Sequence, residues 1–410
     1  MKIHKAYYLL LIALLLLISA VIYYMRQDSG IQITGMNGQT ITAGGAVLSL
    51  DNEVLVPKEL AEQVLDTKIG LAQQPPLPEG IYYRNDVAVL MYHQLTGEPG
   101  QHPGLLTAGQ FEHQLSLLKQ GGFKVITMEQ YRRFKLEQGP IPDNAVLLTF
   151  DDGYESFYTV AFPILQKYGY TAVNFVIVSD IDHPDRHQAP KLTWEQMREM
   201  KRSGMGFYNH TYDLHHYAAV DAGGVMRPAA SSLLYIADEN RNEINEEYYS
   251  RVTADLALAE RRLKEELDNE DSALAFPYGS FNERLLKASE QVGIPLTFNI
   301  HEGMNSAMDA SVCRINAGGR GLAGALSIER LKHLKPPMEL TVDNRIIPLS
   351  KVRLEQEQEQ EQDRLMIPLA RLCQALGIEI VIDRPARTVK LTRDAGGPTD
   401  SPVCAVIGVC

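Results

Sequence analysis

Two short stretches carry residue types whose spacing suits hydrolytic chemistry. The first is Thr149-Phe150-Asp151-Asp152-Gly153, where two adjacent carboxylates close the apolar run Ala145 to Phe150. Successive side chains on an extended strand point to opposite sides. At a strand end both can still turn into one cavity, where one carboxylate can ligate a metal and the other act as a base. Asp-Asp-Gly is also ordinary turn chemistry, so this motif alone leaves both readings open. The second stretch is His210-Thr211-Tyr212-Asp213-Leu214-His215-His216, which follows the run Gly204 to Asn209. Two histidines and one carboxylate form a set that leaves metal positions open for water and substrate. A single histidine is more often a satisfied side chain. Three in seven residues, combined with the Asp-Asp strand end, point to a metal site.

The elements that must position these groups are visible in the same pattern. Polar residues recur directly after apolar runs: His93 after 87–92, Ser179 and Asp180 after 173–178, Pro277 and Tyr278 after 274–276, and His301 after 296–300. In a β/α barrel, catalytic groups gather at the C-terminal ends of the strands. Strand-like runs alternate with helical patterns between two breaks, the Pro-rich Gln73 to Gly80 and the Lys-Pro-Pro at 335–337. That alternation predicts an α/β architecture with a parallel sheet. The spacing over 245–267 predicts an amphipathic helix.

The two flanks of this block resemble each other. Residues 55–69 read LVPKELAEQVLDTKI and residues 366–380 read MIPLARLCQALGIEI, which aligns Pro57 with Pro368 and Leu65 with Leu376. Each flank reads as a strand or hairpin, a helix opened by proline, and a further strand. The flanks are either two separate units or one domain completed as the chain returns. Glu355 to Gln362 is an alternating Glu-Gln run, expected as a solvated surface loop or helical extension.

Composition narrows the function. The 410-residue chain carries 39 Lys and Arg against 51 Asp and Glu, a net charge of −12. This excludes the basic footprint of a nucleic-acid binder and charge-driven docking on an anionic membrane. Four cysteines rule out a disulfide scaffold, and none has zinc-site spacing. Residues 6–24 form an uncharged run of 19 residues, preceded by Lys2 and Lys5. At about 1.5 Å per residue this run can cross a hydrocarbon core. The expectation is an uncleaved N-terminal membrane anchor on residues 1–28 with the remainder outside the cell membrane; a cleaved signal, giving a secreted protein, is the alternative.

TFDDG (149–153), HTYDLH (210–215), FPYG (276–279) and VLMYHQL (89–95) together resemble the polysaccharide deacetylase, or NodB-homology, domain of carbohydrate esterase family 4. The resemblance covers residues 86–334. It is closest to the poly-β-1,6-N-acetylglucosamine deacetylases, through the longer His spacing in HTYDLH and the insertion that follows. It implies a distorted (β/α) barrel of NodB type and a metal held by Asp152, His210 and His215. That metal would be a divalent ion, zinc first, with cobalt, nickel or manganese as alternatives. It also implies Asp151 as base, the Tyr278 backbone N–H as oxyanion donor, and an N-acetylglucosamine polysaccharide as substrate.

The family's late Leu-x-His element has no clear counterpart here. His301, at a strand end, is the expected acid and His333 the other candidate; His216 and His93 could also reach the site, with His93 expected to line the groove or orient a neighbour. Ala275 stands where many members carry the arginine that keeps the catalytic Asp ionised, which leaves that task to the metal or another residue such as Arg314. Peptidoglycan or chitin oligomers are alternative substrates, and a non-catalytic glycan-binding domain is an alternative class. Residues 338–393 resemble the copper amine oxidase N-terminal-like stalk domain, a name that implies no copper site here. Residues 29–72 read as a smaller stalk-like segment, 73–85 as a linker and 394–410 as a tail.

Overall fold

A computed structural model describes residues 31–43, 47–48, 54–71, 77–97, 104–186, 189–307, 309, 311–318, 328–333, 340–343, 345–347, 353–356, 363–383 and 386–393. The expected anchor at 6–24 and the tail with Cys404 and Cys410 lie outside these residues. Among the described residues no helix is long and apolar enough to cross a membrane. The chain divides into two compact units, residues 74–337 and the two flanks together.

The flanks build one unit by exchanging strands. Ile31–Thr34 runs parallel to Thr388–Arg393, Val54–Pro57 pairs antiparallel with Asp363–Pro368, and Ile69–Leu71 pairs antiparallel with Leu340–Val342. Pro57 and Pro368 each lead into a helix, Lys58–Leu65 and Leu369–Ala375. Proline suits that position because its missing N–H has no intrahelical partner to lose. Ile33, Val56 and Val64 from one flank and Ile367, Leu372 and Leu391 from the other share a single buried core. Neither flank could close that core alone. The Glu-Gln run begins inside a hairpin: Glu355 and Gln356 pair with Arg364 and Asp363.

The central unit is built on a parallel sheet. Its strands are β1 (Val87–Tyr92), β2 (Ala145–Asp151), β3 (Val173–Val176), β4 (Gly206–Asn209), β5 (Leu274–Ala275) and β6 (Thr297–Phe298), hydrogen-bonded in that order. Val312 bridges to Phe298, and three residues later β7 (Ile315–Asn316) pairs parallel with β1, so the sheet closes on itself. Alternation along each strand divides the side chains. Val87, Val89, Ala145, Leu147 and Phe175 fill the interior, while Leu90, Val146, Leu148 and Phe150 face the helices outside. Three outer helices start from the same device: Thr107, Thr127 and Thr193 each cap their helix in a reciprocal pair with Gln110, Gln130 and Gln196. Each such cap contributes about 1 kcal/mol.

The unit starts earlier than expected. Tyr83 is fully buried, its ring meets Phe123 at 6.2 Å, and its hydroxyl donates to Ala145 O at 2.9 Å. Asn144 Nδ2 donates to Gly80 O at 2.7 Å. Residues 80–85 therefore belong to the barrel and not to a linker, because they cover the N-terminal end of β2. The helix Asn245–Leu267 buries Tyr248, Val252, Leu256, Ala259, Leu263 and Leu267, the three-and-four spacing of one helical face.

Candidate active site

The parity of β2 decides where its terminal carboxylate goes. Ala145 and Leu147 point inward, so Asp151 does as well, at the C-terminal mouth of the barrel. The next residue, Asp152, has φ of 73°. This left-handed turn sends a second carboxylate to the same mouth, and strain of this kind collects at functional sites. Gly153 continues the turn at φ 67°, and a Cβ there would crowd Val176 Cγ1 at 3.2 Å.

His210 directly follows β4. Its Nδ1 lies 2.8 Å from the carbonyl oxygen of Ala275, which can only accept, so Nδ1 carries the proton. The lone pair of Nε2 then faces Asp152 Oδ1 at 3.4 Å, and His215 Nε2 approaches the same oxygen at 3.5 Å. That oxygen is buried, and among the described residues no hydrogen bond reaches it. One ligand atom from each of Asp152, His210 and His215 lies within 4.8 Å of the others. A buried carboxylate oxygen without a donor is costly, and three convergent ligand atoms of this chemistry are what a divalent cation satisfies. The residues therefore fit a metal.

The loop between the two histidines is held at several points. Thr211 takes φ 72°, and its N–H donates to Asn209 Oδ1 at 2.6 Å. The half-buried carboxylate of Asp255, on the long helix, accepts the N–H groups of Tyr212 and Asp213, each at 2.8 Å. Burial pushes the pKa of Asp255 up to about 6 despite these bonds. Ser179 Oγ donates to Asp213 Oδ1 at 2.9 Å. The extra residue in HTYDLH is thus absorbed by a defined turn.

Arg314 lies in the barrel interior, fully buried, just ahead of β7. Its Nη1 donates to Asp151 Oδ1 at 2.7 Å and its Nε to Asn299 O at 2.9 Å. It occupies the role left open at Ala275, from a point in the chain 39 residues later. Burial alone would raise the pKa of Asp151, but Arg314, His210 and His93 outweigh it and hold the carboxyl below the ordinary range. Burial of Asp152 is likewise outweighed by His210, His93 and His215. Burial lowers His210, yet the two aspartates raise it overall; burial and the charge of His210 bring His215 down to about 4. The cluster favours positive charge at its centre.

The structure brings Asp151, Asp152, His210, His215 and Tyr278 together. Tyr278 has φ 57°, its ring lies tilted against that of His215 at 4.4 Å between centroids, and its hydroxyl donates to His215 O at 3.1 Å. Gly279 follows at φ 65°, where a Cβ would overlap Ile300 Cγ1. His301 neighbours this set through its backbone, its carbonyl oxygen accepting from Arg314 N at 3.0 Å. Its ring packs edge-on to Phe281 at 5.9 Å, and among the described residues no hydrogen bond or ion pair joins it to the carboxylates. The nearer histidine is His93, whose Nε2 is 4.0 Å from Asp151 Oδ2. His216 is exposed and tied by Nδ1 to Asp213 O at 2.8 Å. The side chain of His333 lies outside the described residues.

Sequence reasoning missed Lys191. Its side chain is buried, pairs with Asp180 at 3.0 Å and donates to Asp152 O at 2.8 Å, bracing the turn that aims Asp152. Asp180 was visible as a strand-end group, but nothing local to Lys191 signalled its partner.

A family model described as polysaccharide deacetylase matches residues 138–297, which include β2 through β5 and both motif stretches. The chain contains a polysaccharide deacetylase domain. The domain is 28% identical over 254 residues to a poly-β-1,6-N-acetyl-D-glucosamine N-deacetylase of Escherichia coli O157:H7, covering 59% of this chain and 37% of that protein. It is 28% identical over 235 residues to the protein of that name from Staphylococcus epidermidis, covering 54% and 74% respectively. The chain thus spans little more than a third of the Escherichia coli relative. Among solved structures, a de-N-acetylase from Aggregatibacter actinomycetemcomitans superposes with TM-score 0.52 at 28% identity, over 56% of this chain and 94% of that one. The deacetylase domain of BpsB from Bordetella bronchiseptica superposes with TM-score 0.50 at 26% identity, over 58% and 97%.

Proposed function

We propose that the domain hydrolyses N-acetyl groups from an extracellular N-acetylglucosamine polymer, with poly-β-1,6-N-acetylglucosamine as the leading substrate. The observation that carries this reading is the buried Arg314–Asp151 pair beside the Asp152–His210–His215 cluster. It sets an ionised base against a metal-ligand set, which a purely binding domain has no need to maintain. The names of the relatives support the polymer.

Asp152, His210 and His215 would hold a divalent ion, zinc first, with cobalt, nickel or manganese as alternatives. When bound, such an ion polarises a carbonyl oxygen and lowers the pKa of water. Asp151 removes a proton from the attacking water. Arg314 keeps that carboxyl ionised, so it is competent at neutral pH. The Tyr278 N–H donates to the developing oxyanion; loss of one such donor typically costs about 2.7–4 kcal/mol. His93 takes the acid role that the sequence pattern gave to His301. It protonates the departing amine nitrogen as the C–N bond breaks, and the proton on Asp151 returns to it across 4.0 Å. The products are acetate and a glucosamine unit. Residues 6–24 would anchor the domain in the membrane, facing outward.

The test is acetate release by the full chain, stripped of metal and reloaded with zinc, cobalt or nickel, on poly-β-1,6-N-acetylglucosamine, peptidoglycan and chitin oligomers. Metal-dependent release that disappears in Asp151→Asn is expected, and the ranking among polymers gives the substrate. Bound metal with no release from any polymer would replace hydrolysis by glycan binding.

A further inference from the structure

The metal-ligand set continues outward as a line of rings that ends on tyrosine side chains the mechanism does not use. His210 and His215 lie 4.7 Å apart by ring centroid, Tyr278 lies 4.4 Å beyond His215, and Tyr217 lies 4.6 Å beyond Tyr278. The two histidines are buried or half-buried, whereas Tyr278 is 39% and Tyr217 49% exposed. Two adjacent tyrosine rings thus stand partly in water beside the reactive mouth, an apolar body with a polar tip of the kind used at binding surfaces.

Tyr217 is held there by a hairpin. It opens the strand Tyr217–Ala219, which pairs antiparallel with Met226–Pro228 in the register Tyr217↔Pro228 and Ala219↔Met226. Side chains at these four positions share one face of the hairpin. The opposite face carries Ala218, which packs against the core that holds Leu214 and Tyr248. The face of Tyr217 therefore turns outward, and it presents no charge. The nearby Asp221 is committed to the turn, its Oδ1 accepting from Val225 N at 3.0 Å. The hairpin is tied to the ligand loop by Ala229 N donating to His216 O at 2.9 Å.

We infer that Tyr217 is a specificity-determining residue, a stacking platform for the pyranose ring of the sugar next to the one being deacetylated. This rests on the glycan reading of the site. A hexosamine presents an apolar C–H face and a polar rim. A rigid, uncharged tyrosine ring with an apolar surround matches that face. It sits two ring contacts from His215, so only a substrate longer than the reacting unit reaches it. Binding energy from a remote part of the substrate of this kind favours long chains over short ones.

The test compares kcat/KM for acetate release from a β-1,6-linked N-acetylglucosamine disaccharide and pentasaccharide, using the zinc-loaded full chain. Tyr217→Ala should lower the pentasaccharide value about five- to ten-fold more than the disaccharide value, the size of one aromatic contact. Tyr217→Trp should restore the preference for length. An equal fall on both substrates, or no change in their ratio, would overturn the platform. Calorimetric binding of the pentasaccharide to Asp151→Asn protein, with and without Tyr217→Ala, separates this from the hydrolytic reading. Binding that weakens with Tyr217→Ala in a protein whose parent shows no turnover would keep the platform and remove the deacetylase. No pentasaccharide binding to Asp151→Asn protein would remove the platform.

Discussion

Replacing Arg314 by methionine tests the arrangement most directly. Both partners of the Arg314–Asp151 pair are buried, with side-chain exposures of 0% and 3%, so solvent screens the interaction little. Removing one partner of a buried pair leaves an uncompensated charge and typically costs about 3–5 kcal/mol. Part of that loss has another origin, because Arg314 Nε also donates to Asn299 O, a bond contributing about 1 kcal/mol. The coupling between Arg314→Met and Asp151→Asn in a double-mutant cycle is therefore expected to be about 2–4 kcal/mol. Denaturant unfolding can be followed in this unit alone by the fluorescence of Trp194, the chain's one tryptophan. The pH dependence has a definite sign. In the parent, the folded pKa of Asp151 is lowered, so the stability it contributes is present above its unfolded value of about 4 and is lost as pH falls through the folded value. In Arg314→Met, loss of the guanidinium leaves only His210 and His93 against burial, so that pKa rises relative to the parent and the variant gains on the parent as pH falls. The stability gap should be widest at neutral pH and narrow toward pH 4. In the same variant the acid limb of kcat/KM should move to higher pH. A coupling below about 0.5 kcal/mol, or a stability gap that does not change with pH, would refute the pairing as the source of the ionised base.

Three further outcomes follow from the same geometry. Asp152→Asn, His210→Ala and His215→Ala should each lower zinc content by elemental analysis, whereas Asp151→Asn should retain metal while losing turnover; metal loss in Asp151→Asn would contradict the division of roles between the two carboxylates. His93→Gln should reduce kcat by about 10²–10⁴, with His301→Gln within a few-fold of the parent, and a reversal of these two effects would return the acid role to His301. Gly279→Ala should destabilise the unit by about 1–3 kcal/mol in Trp194-detected unfolding, since it adds a methyl group in a left-handed turn against Ile300; a neutral result would show that the turn relaxes.

The parts of this site legible in the sequence are those whose geometry is fixed within a few residues. A strand end followed by glycine constrains Asp151 and Asp152 locally, and two histidines five positions apart on one loop must lie near each other. The helix over 245–267 was equally legible, because its period is carried by its own residues. The partners supplied from a distance were harder to read. Arg314 reaches Asp151 only because Val312 and β7 close the sheet between β6 and β1, a contact across 163 residues. Only a specific deficit, the alanine at 275, pointed toward it. His93 and His301 both follow apolar runs, and nothing local distinguishes them; the pairing of β1 with β2, which sets Tyr92 beside Phe150, is what places His93 near Asp151. Lys191 carried no signal, because its role is to brace a backbone carbonyl. The flanks show the same limit on a larger scale. Their internal likeness was readable, but a repeat specifies which strands exist and not whose partner each becomes. Here each half lacks the neighbours needed to bury Val56 or Ile367, so the strands exchange, and one core forms from residues more than 300 positions apart. Local chemistry therefore nominates the ligands, while the topology chooses the groups that tune them.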